Sequence, residues 1–157
     1  MEACLPFFSK GAVVMIRTQR PQDIERIMEI WLQGNLSAHS QIERDYWENN
    51  LPFVKEAISK AQVYVYEEQG AILGFIGLEG DDIAGLFVEQ PFRSKGIGAK
   101  LLSYVKETHN ALTLSVYCQN QRAVAFYLRQ GFSIQSQRSE QSTGESEYEM
   151  KWQKKEN

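Results

Sequence analysis

The stretch "IAGLFVEQPFRSKGIGAKLLSYVKE", residues 83–107, carries three different patterns in succession. Residues 83–88 are an apolar run that reads as a strand. Residues 93–98, "RSKGIG", put two cations and two glycines into six positions. Beyond them, Ile97, Leu101, Leu102 and Val105 recur at the spacing of one helix face, which predicts about three helical turns. A bare, basic turn between a strand and a helix has two readings. It is a loop that needs glycine for a positive φ, or it is a cradle for phosphate. In the second reading the amides of Lys95, Gly96, Ile97 and Gly98 point along the starting helix, where the macrodipole is positive. The glycines let the backbone approach an oxygen closely, and Arg93 and Lys95 add charge. The turn is not a dinucleotide fingerprint, whose third glycine would fall at Leu101, and it lacks the Gly-Lys-Ser/Thr of a Walker A loop.

Upstream of this stretch the period is that of strands. Residues 61–68, "AQVYVYEE", are rich in β-branched and aromatic side chains. "QG" turns them into residues 71–80, and "DD" turns those into residues 83–90. Connections this short predict an antiparallel meander. Earlier still, residues 13–18 read as a first strand. Pro21 suits a helix start, and Ile24, Ile27, Met28, Trp31 and Leu32 come after it at helical spacing, with Gly34 expected to end that helix and residues 35–40 to form a loop. A second helical region is expected over residues 42–60, interrupted near Pro52. Downstream, Leu112, Leu114 and Val116 alternate as a strand. Residues 120–132 read as a compact helix with Asn120 as N-cap and Gly131 at its C-terminus. Two strands around a polar loop at residues 139–144 close the pattern. The expected class is α/β, a single domain with a mixed, mostly antiparallel sheet flanked by helices.

The 157 residues suit one domain with one core. A hydrophobic content of 43% and a charged content of 24% are those of an ordinary globular chain. The net charge of -3 argues against a nucleic-acid partner. Cys4 and Cys118 are the only cysteines, too few for a disulfide framework or a four-cysteine zinc site, so neither a metal nor an oxidising compartment is expected. No apolar stretch reaches the roughly 20 residues of a membrane span, and a cytoplasmic location is expected. Residues 1–14 show neither a signal-peptide pattern nor the periodicity that begins at Met15. They are expected to be an N-terminal extension, with the domain at residues 15–153 and a polar tail at 154–157.

The two patterns around residues 93–98 and 120–132, in that order with a strand between them, resemble the Gcn5-related N-acetyltransferase superfamily, and "VYVYEE", "GFIGL" and "TGESEYEMKW" resemble a small bacterial subgroup of it. The resemblance covers roughly residues 15–152. Arg93, Gly96 and Gly98 match that family's acetyl-CoA loop, Gln/Arg-x-x-Gly-x-Gly/Ala. Asn120 and "FYLRQGF", residues 126–132, match its downstream helix. The resemblance implies transfer of an acetyl group from acetyl-CoA to a primary amine, on a protein or a small molecule, by direct attack on the thioester. A non-catalytic acyl-CoA-binding sensor on the same scaffold is the alternative, because fold alone does not assign activity. Acetyl-CoA and an amine acceptor are then the partners, with no metal; a homodimer is compatible with the sequence.

Acetyl transfer needs a held cofactor, a polarised carbonyl, a deprotonated amine and a stabilised thiolate. The resemblance assigns the diphosphate to Arg93, Ser94, Lys95, Gly96, Ile97 and Gly98, and the thioester and pantetheine arm to backbone amides of Leu86, Phe87 and Val88. Gly85, inside a strand, independently suggests a bulge. Tyr127 is assigned as general acid, since a phenol of pKa near 10 can protonate a thiolate whose acid lies near 8.5. Asn120, seven residues earlier, shares the helix face of Tyr127 and is expected to touch the cofactor while capping. Asp82 is the expected base, four residues before Leu86 and on its side of the strand, though Asp81 and Asp82 also read as a solvated turn. Glu79 and His39 are weaker candidates; a lone loop histidine is usually solvated.

Overall fold

A computed structural model of the chain describes residues 5–9, 12–93 and 95–155. Among them, eight strands form one sheet: β1 (Leu5–Ser9), β2 (Ala12–Thr18), β3 (Gln62–Glu68), β4 (Ala71–Glu79), β5 (Asp82–Val88), β6 (Ala111–Tyr117), β7 (Ser133–Ser139) and β8 (Ser146–Gln153). Their order across the sheet is β1-β2-β3-β4-β5-β6-β8-β7. Every neighbouring pair is antiparallel except β5 and β6. Four helices cover it: α1 (Ile24–Ala38), α2 (Arg44–Lys60), α3 (Ile97–Lys106) and α4 (Gln121–Arg129). This is the mixed, mostly antiparallel α/β architecture expected. Of the N-terminal segment expected to lie outside the domain, Leu5–Ser9 runs along β2 at the sheet edge; residues 1–4, 10 and 11, and residues 156 and 157 of the polar tail, lie outside the described residues.

Alternation along the strands sorts side chains into two cores. On one face, Val63, Val65, Ile72 and Phe75 pack under α1 and α2 with Ile27, Trp31 and Trp47. On the other, Ile76, Leu78, Leu112, Leu114 and Met150 pack under α3 and α4 with Leu101, Leu102, Val105 and Tyr127. Burying one such aliphatic side chain contributes about 1.5–3 kcal/mol, and each helix repeats the arrangement along its length. The start of α1 is held by Arg17, which is only 3% exposed. Its guanidinium donates to both carboxylate oxygens of Asp23, at 2.8 and 3.2 Å, and to Glu67 at 2.9 Å. Losing one partner of such a buried pair typically costs about 3–5 kcal/mol.

Two helical boundaries depart from expectation. Gly34 does not end α1, which continues to Ala38. A Cβ at Gly34 would come within 2.8 Å of Cδ1 of Phe87, so the glycine is there for close packing on β5. Its helical cost, about 1 kcal/mol relative to alanine, is offset by burial of an aromatic ring. Pro52 likewise does not interrupt α2, which runs through it to Lys60.

Candidate active site

β5 and β6 are parallel neighbours only at their starts. Asp82 pairs with Thr113 and Ile83 with Leu114, and the pairing goes no further. Immediately beyond that point β5 carries a bulge. Gly77 of β4 faces Gly85 and Leu78 faces Ile83, which leaves Ala84 as the extra residue. A bulge bends its strand, and here it steers β5 away from β6. Gly85 allows this for a packing reason too. A Cβ on it would lie 2.7 Å from Cε2 of Phe87, whose ring occupies the space between Gly85 and Gly34.

The parting leaves backbone polar groups of β5 without a strand to bind. The amide of Glu89 donates to Leu73 O of β4 at 2.8 Å. Alternation therefore turns the N–H and C=O of Val88 and Leu86 the opposite way, into the gap. Phe87 turns its own toward β4. The carbonyl of Val88 accepts from Nε of Arg93 at 3.2 Å, while the two amides face the opening. A cavity of about 640 Å³ fills the gap and joins the two faces of the sheet; Ile83, Ala84, Gly85, Leu86, Phe87 and Val88 form one wall and Leu114, Ser115, Val116 and Tyr117 the other.

On the α3/α4 face the basic turn opens onto this cavity. Gly96 is the N-cap of α3 with φ +85 and ψ 6, the left-handed conformation that glycine tolerates and other residues resist. Gly98 packs against Phe126, where an added Cβ would lie 3.3 Å from its Cζ. Burial lowers the pKa of Arg93, and the charge of Arg122 lowers it further. Two guanidiniums held close enough to repel suit a ligand that brings negative charge. Arg93, Gly96, Ile97, Gly98, Asn120 and Tyr127 all line the cavity. Lys95 sits over the Phe92 ring at 5.5 Å and is not in the lining; Ser94 lies outside the described residues. The open amides, the basic turn and the cavity fit an acyl-CoA, whose diphosphate would lie on the turn and whose thioester would lie along β5.

Tyr127 is set by the way α4 ends. The amide of Gly131 donates to Leu128 O and that of Phe132 to Tyr127 O, at 3.2 and 3.0 Å, with Gly131 at φ +92. This is a Schellman motif. It brings the Phe132 ring edge-on to Tyr127 at 5.5 Å. Asn120 caps the other end of α4, accepting from the amide of Ala123 at 3.3 Å. Tyr127 is 8% exposed, and burial raises its pKa well above 10. The phenol therefore holds its proton across the working pH range.

Asp82 is not brought into the cavity. It is exposed, accepts from Oγ1 of Thr113 at 2.8 Å, and stands where β5 and β6 are still paired. Glu79 is exposed at the far end of β4. His39 departs most from expectation. It is not a solvated loop residue, because the longer α1 carries it into the cavity wall at 7% exposure. Its ring stacks on Trp47 at 5.8 Å and meets Tyr117 edge-on at 4.8 Å. Trp31, Trp47, Tyr117, Arg122 and Glu147 also line the cavity and were not singled out from sequence. Trp31 sits in a helical apolar stripe, which marks it only as core. Tyr117 ends an alternating strand, and nothing local says that β6 has parted from β5 there.

Residues 59–134 match the family profile of the acetyltransferase (GNAT) domain. Over 122 residues the chain is 39% identical to peptidyl-lysine N-acetyltransferase YiaC of Escherichia coli (strain K12), a match covering 76% of this chain and 84% of that protein. It is 28% identical to peptidyl-lysine N-acetyltransferase YjaB of Salmonella typhimurium over 78% of this chain and 85% of the relative. Among solved structures, the apo form of YjaB from Escherichia coli shares the fold with a TM-score of 0.80 at 23% identity, over 91% of this chain and 99% of that one. YncA of Salmonella typhimurium, solved with acetyl-CoA, does so with a TM-score of 0.67 at 21% identity, over 92% and 95%. The chain belongs to the Gcn5-related N-acetyltransferase (GNAT) family, and transfers the acetyl group of acetyl-CoA to an amine.

Proposed function

We propose that the acceptor is a lysine side chain of a protein or peptide, and that its amine attacks the thioester directly. The observation that carries this is the through-sheet cavity. Its α3/α4 face presents the basic turn and Tyr127, and its α1/α2 face presents an aromatic wall. A lysine has an apolar stem long enough to cross such a wall and a nitrogen at its tip. The carboxylate of Glu147 lies in the lining, and the two relatives YiaC and YjaB are peptidyl-lysine N-acetyltransferases. Cys118, the free thiol among the described residues, is not in the lining, which favours direct attack over an acyl-cysteine intermediate.

In this reading the chain's groups divide the work. The turn at Arg93, Gly96, Ile97 and Gly98 binds the diphosphate, and Asn120 supports it. The amides of Leu86 and Val88 face the thioester oxygen as charge develops; one such donor is typically worth about 10²- to 10³-fold in rate. Tyr127 gives its proton to the departing thiolate. Acetyl-CoA supplies an activated acyl group and a thiol leaving group. A cytoplasmic location, where acetyl-CoA and unmodified proteins meet, goes with this reading.

The test is an acceptor screen. Lysine peptides, peptides whose only amine is the N-terminus, and a polyamine are each incubated with protein and acetyl-CoA, then read by mass and by thiol release. Acetylation at lysine Nε, with no acetyl adduct on the protein when the amine is omitted, is expected. Transfer confined to N-termini or polyamines would overturn the lysine assignment.

A further inference from the structure

The α1/α2 face of the cavity holds two buried polar atoms that nothing among the described residues satisfies: Nδ1 of His39 and Nε1 of Trp47. Buried polar groups are nearly always paired, by protein or by an ordered water, so an orphaned donor and an orphaned ring nitrogen on stacked neighbours call for an explanation. Their packing leaves little freedom to seek partners. Trp47 is held edge-on by Trp31 at 5.9 Å and by Tyr46 at 4.9 Å, and His39 is wedged between Trp47 and Tyr117. The backbone pins it as well, since its amide donates to Asn35 O and its carbonyl accepts from the amide of Ile42, each at 3.0 Å.

We propose that His39 is the base of the reaction, taking the proton from the amine nitrogen after it has attacked the thioester. The proposal rests on the acetyl-transfer reading of the cavity. Three observations carry it. His39 lines the same cavity as the open amides of β5 and Tyr127. It does so from the α1/α2 face, whereas Tyr127 belongs to the α3/α4 core, so the acid and the base stand on opposite sides of the gap. And its buried Nδ1 is bonded to nothing among the described residues, so the ring is not already committed to a neighbour through that atom. Burial lowers the pKa of His39 below its usual value near 6.5, which keeps the ring neutral and able to accept at neutral pH. The titratable groups around it are Tyr117 from β6 and Tyr46 from α2, with Glu140 and Glu147 beyond Tyr117. Burial raises the pKa of Tyr117, although a hydrogen bond from Thr143 works against this; Tyr46, Glu140 and Glu147 push it further up. Tyr117 therefore stays a neutral phenol and does not compete for the role.

The bonds balance without another reactant. The neutral amine forms the N–C bond as the carbonyl pair moves to oxygen. The extra proton on nitrogen passes to His39. The oxyanion collapses, the C–S bond breaks with its pair going to sulfur, and Tyr127 protonates the thiolate. His39 then loses its proton to solvent and Tyr127 regains one, which leaves amide and thiol.

The experiment compares wild type with His39→Gln and His39→Ala, using an amine that the wild type accepts in the acceptor screen. Single-turnover transfer at saturating acetyl-CoA should fall by about 10²- to 10⁴-fold, the range for a lost acid or base, with acetyl-CoA affinity unchanged. The acidic limb of the kcat/KM–pH profile, with an apparent pKa below 6.5 in wild type, should vanish in both variants. Added imidazole should restore transfer to His39→Ala. A second measurement needs no turnover: in 15N NMR of the wild-type imidazole with CoA bound, adding the amine should shift the ring nitrogens as the imidazole accepts an N–H. Wild-type transfer in His39→Gln, or an acidic limb that persists in it, or ring 15N resonances indifferent to the amine, would overturn the assignment. If wild type acetylates no amine in the screen, the acceptor reading fails, and the response of the imidazole 15N resonances to those amines still decides the role of His39.

Discussion

The two faces of the cavity are made from different materials. On the α3/α4 face, Arg93, Gly96, Gly98 and Asn120 come from two short segments, each opening a helix. Their contribution is mainly backbone geometry and positive charge. On the α1/α2 face, His39, Trp47 and Tyr117 come from the end of α1, the first turns of α2 and the end of β6. Their contribution is ring packing around polar atoms left unpaired. The difference reflects the ligands expected on each side. A diphosphate is the same in every encounter and carries its charge, so a short turn of amides and cations suffices. An acceptor amine must be desolvated before it attacks, and that requires a wall assembled from elements far apart in the chain.

The sharpest way to break this comparison is at Tyr127, which sits between the two functions. Tyr127→Phe keeps the ring and its contact with Phe132 but removes the hydroxyl. Single-turnover transfer should slow by about 10²- to 10⁴-fold while acetyl-CoA affinity stays the same, measured by rapid quench and by calorimetry. An unchanged rate would make Tyr127 a packing residue.

Next in size is the backbone of the basic turn. Among the described residues, leaving out its chain neighbours and its own helix, no atom lies within 4 Å of a Cβ added at Gly96, so its φ of +85 is what resists substitution. Gly96→Val forces a β-branched residue into a conformation costing about 1–3 kcal/mol. Acetyl-CoA affinity should fall by about tenfold or more, with the melting curve still cooperative. Normal affinity in the folded variant would remove the turn from the cofactor site.

The aromatic face answers to volume instead. Gly34→Ala gains about 1 kcal/mol of helix propensity but sets a Cβ 2.8 Å from the Phe87 ring. Overpacking of this kind costs about 1–3 kcal/mol. The net effect should be a melting temperature lower by a few degrees, since about 1 kcal/mol moves a domain of this size by about 2–4 °C. In a Phe87→Leu background the same change should become stabilising. Destabilisation in both backgrounds would show that Gly34 is not there for Phe87.

The smallest effect is expected from removing residues 1–14. β1 pairs only with β2 at the sheet edge, and four strands, β2 to β5, separate it from the gap. A chain beginning at Met15 should bind acetyl-CoA within about twofold of the full chain. Its melting temperature should drop modestly, because buried Val14 is lost with the segment. A large loss of cofactor affinity, read by calorimetry, would place the segment in the working domain.

The sequence by itself determined what is local. Runs rich in β-branched and aromatic residues joined by two-residue turns read as paired strands, and a glycine before an amphipathic helix is needed where φ is positive, so the meander, the turn at Gly96, the capped α4 and its Gly131 were all legible. Even the bulge was legible through Gly85, one residue from its place at Ala84. Tertiary structure decided what depends on residues distant in the chain. Gly34 reads as a helix end until Phe87 is set against it, and only then does α1 run on and deliver His39 to the cavity. Asp82 has the spacing of a base, but spacing along a strand does not say where its neighbour parts from it, and the pairing with β6 holds Asp82 outside. The burial that keeps His39 neutral is likewise a property of Trp47 and Tyr117 closing around it. Desolvation and packing arise between segments, so no window of sequence contains them.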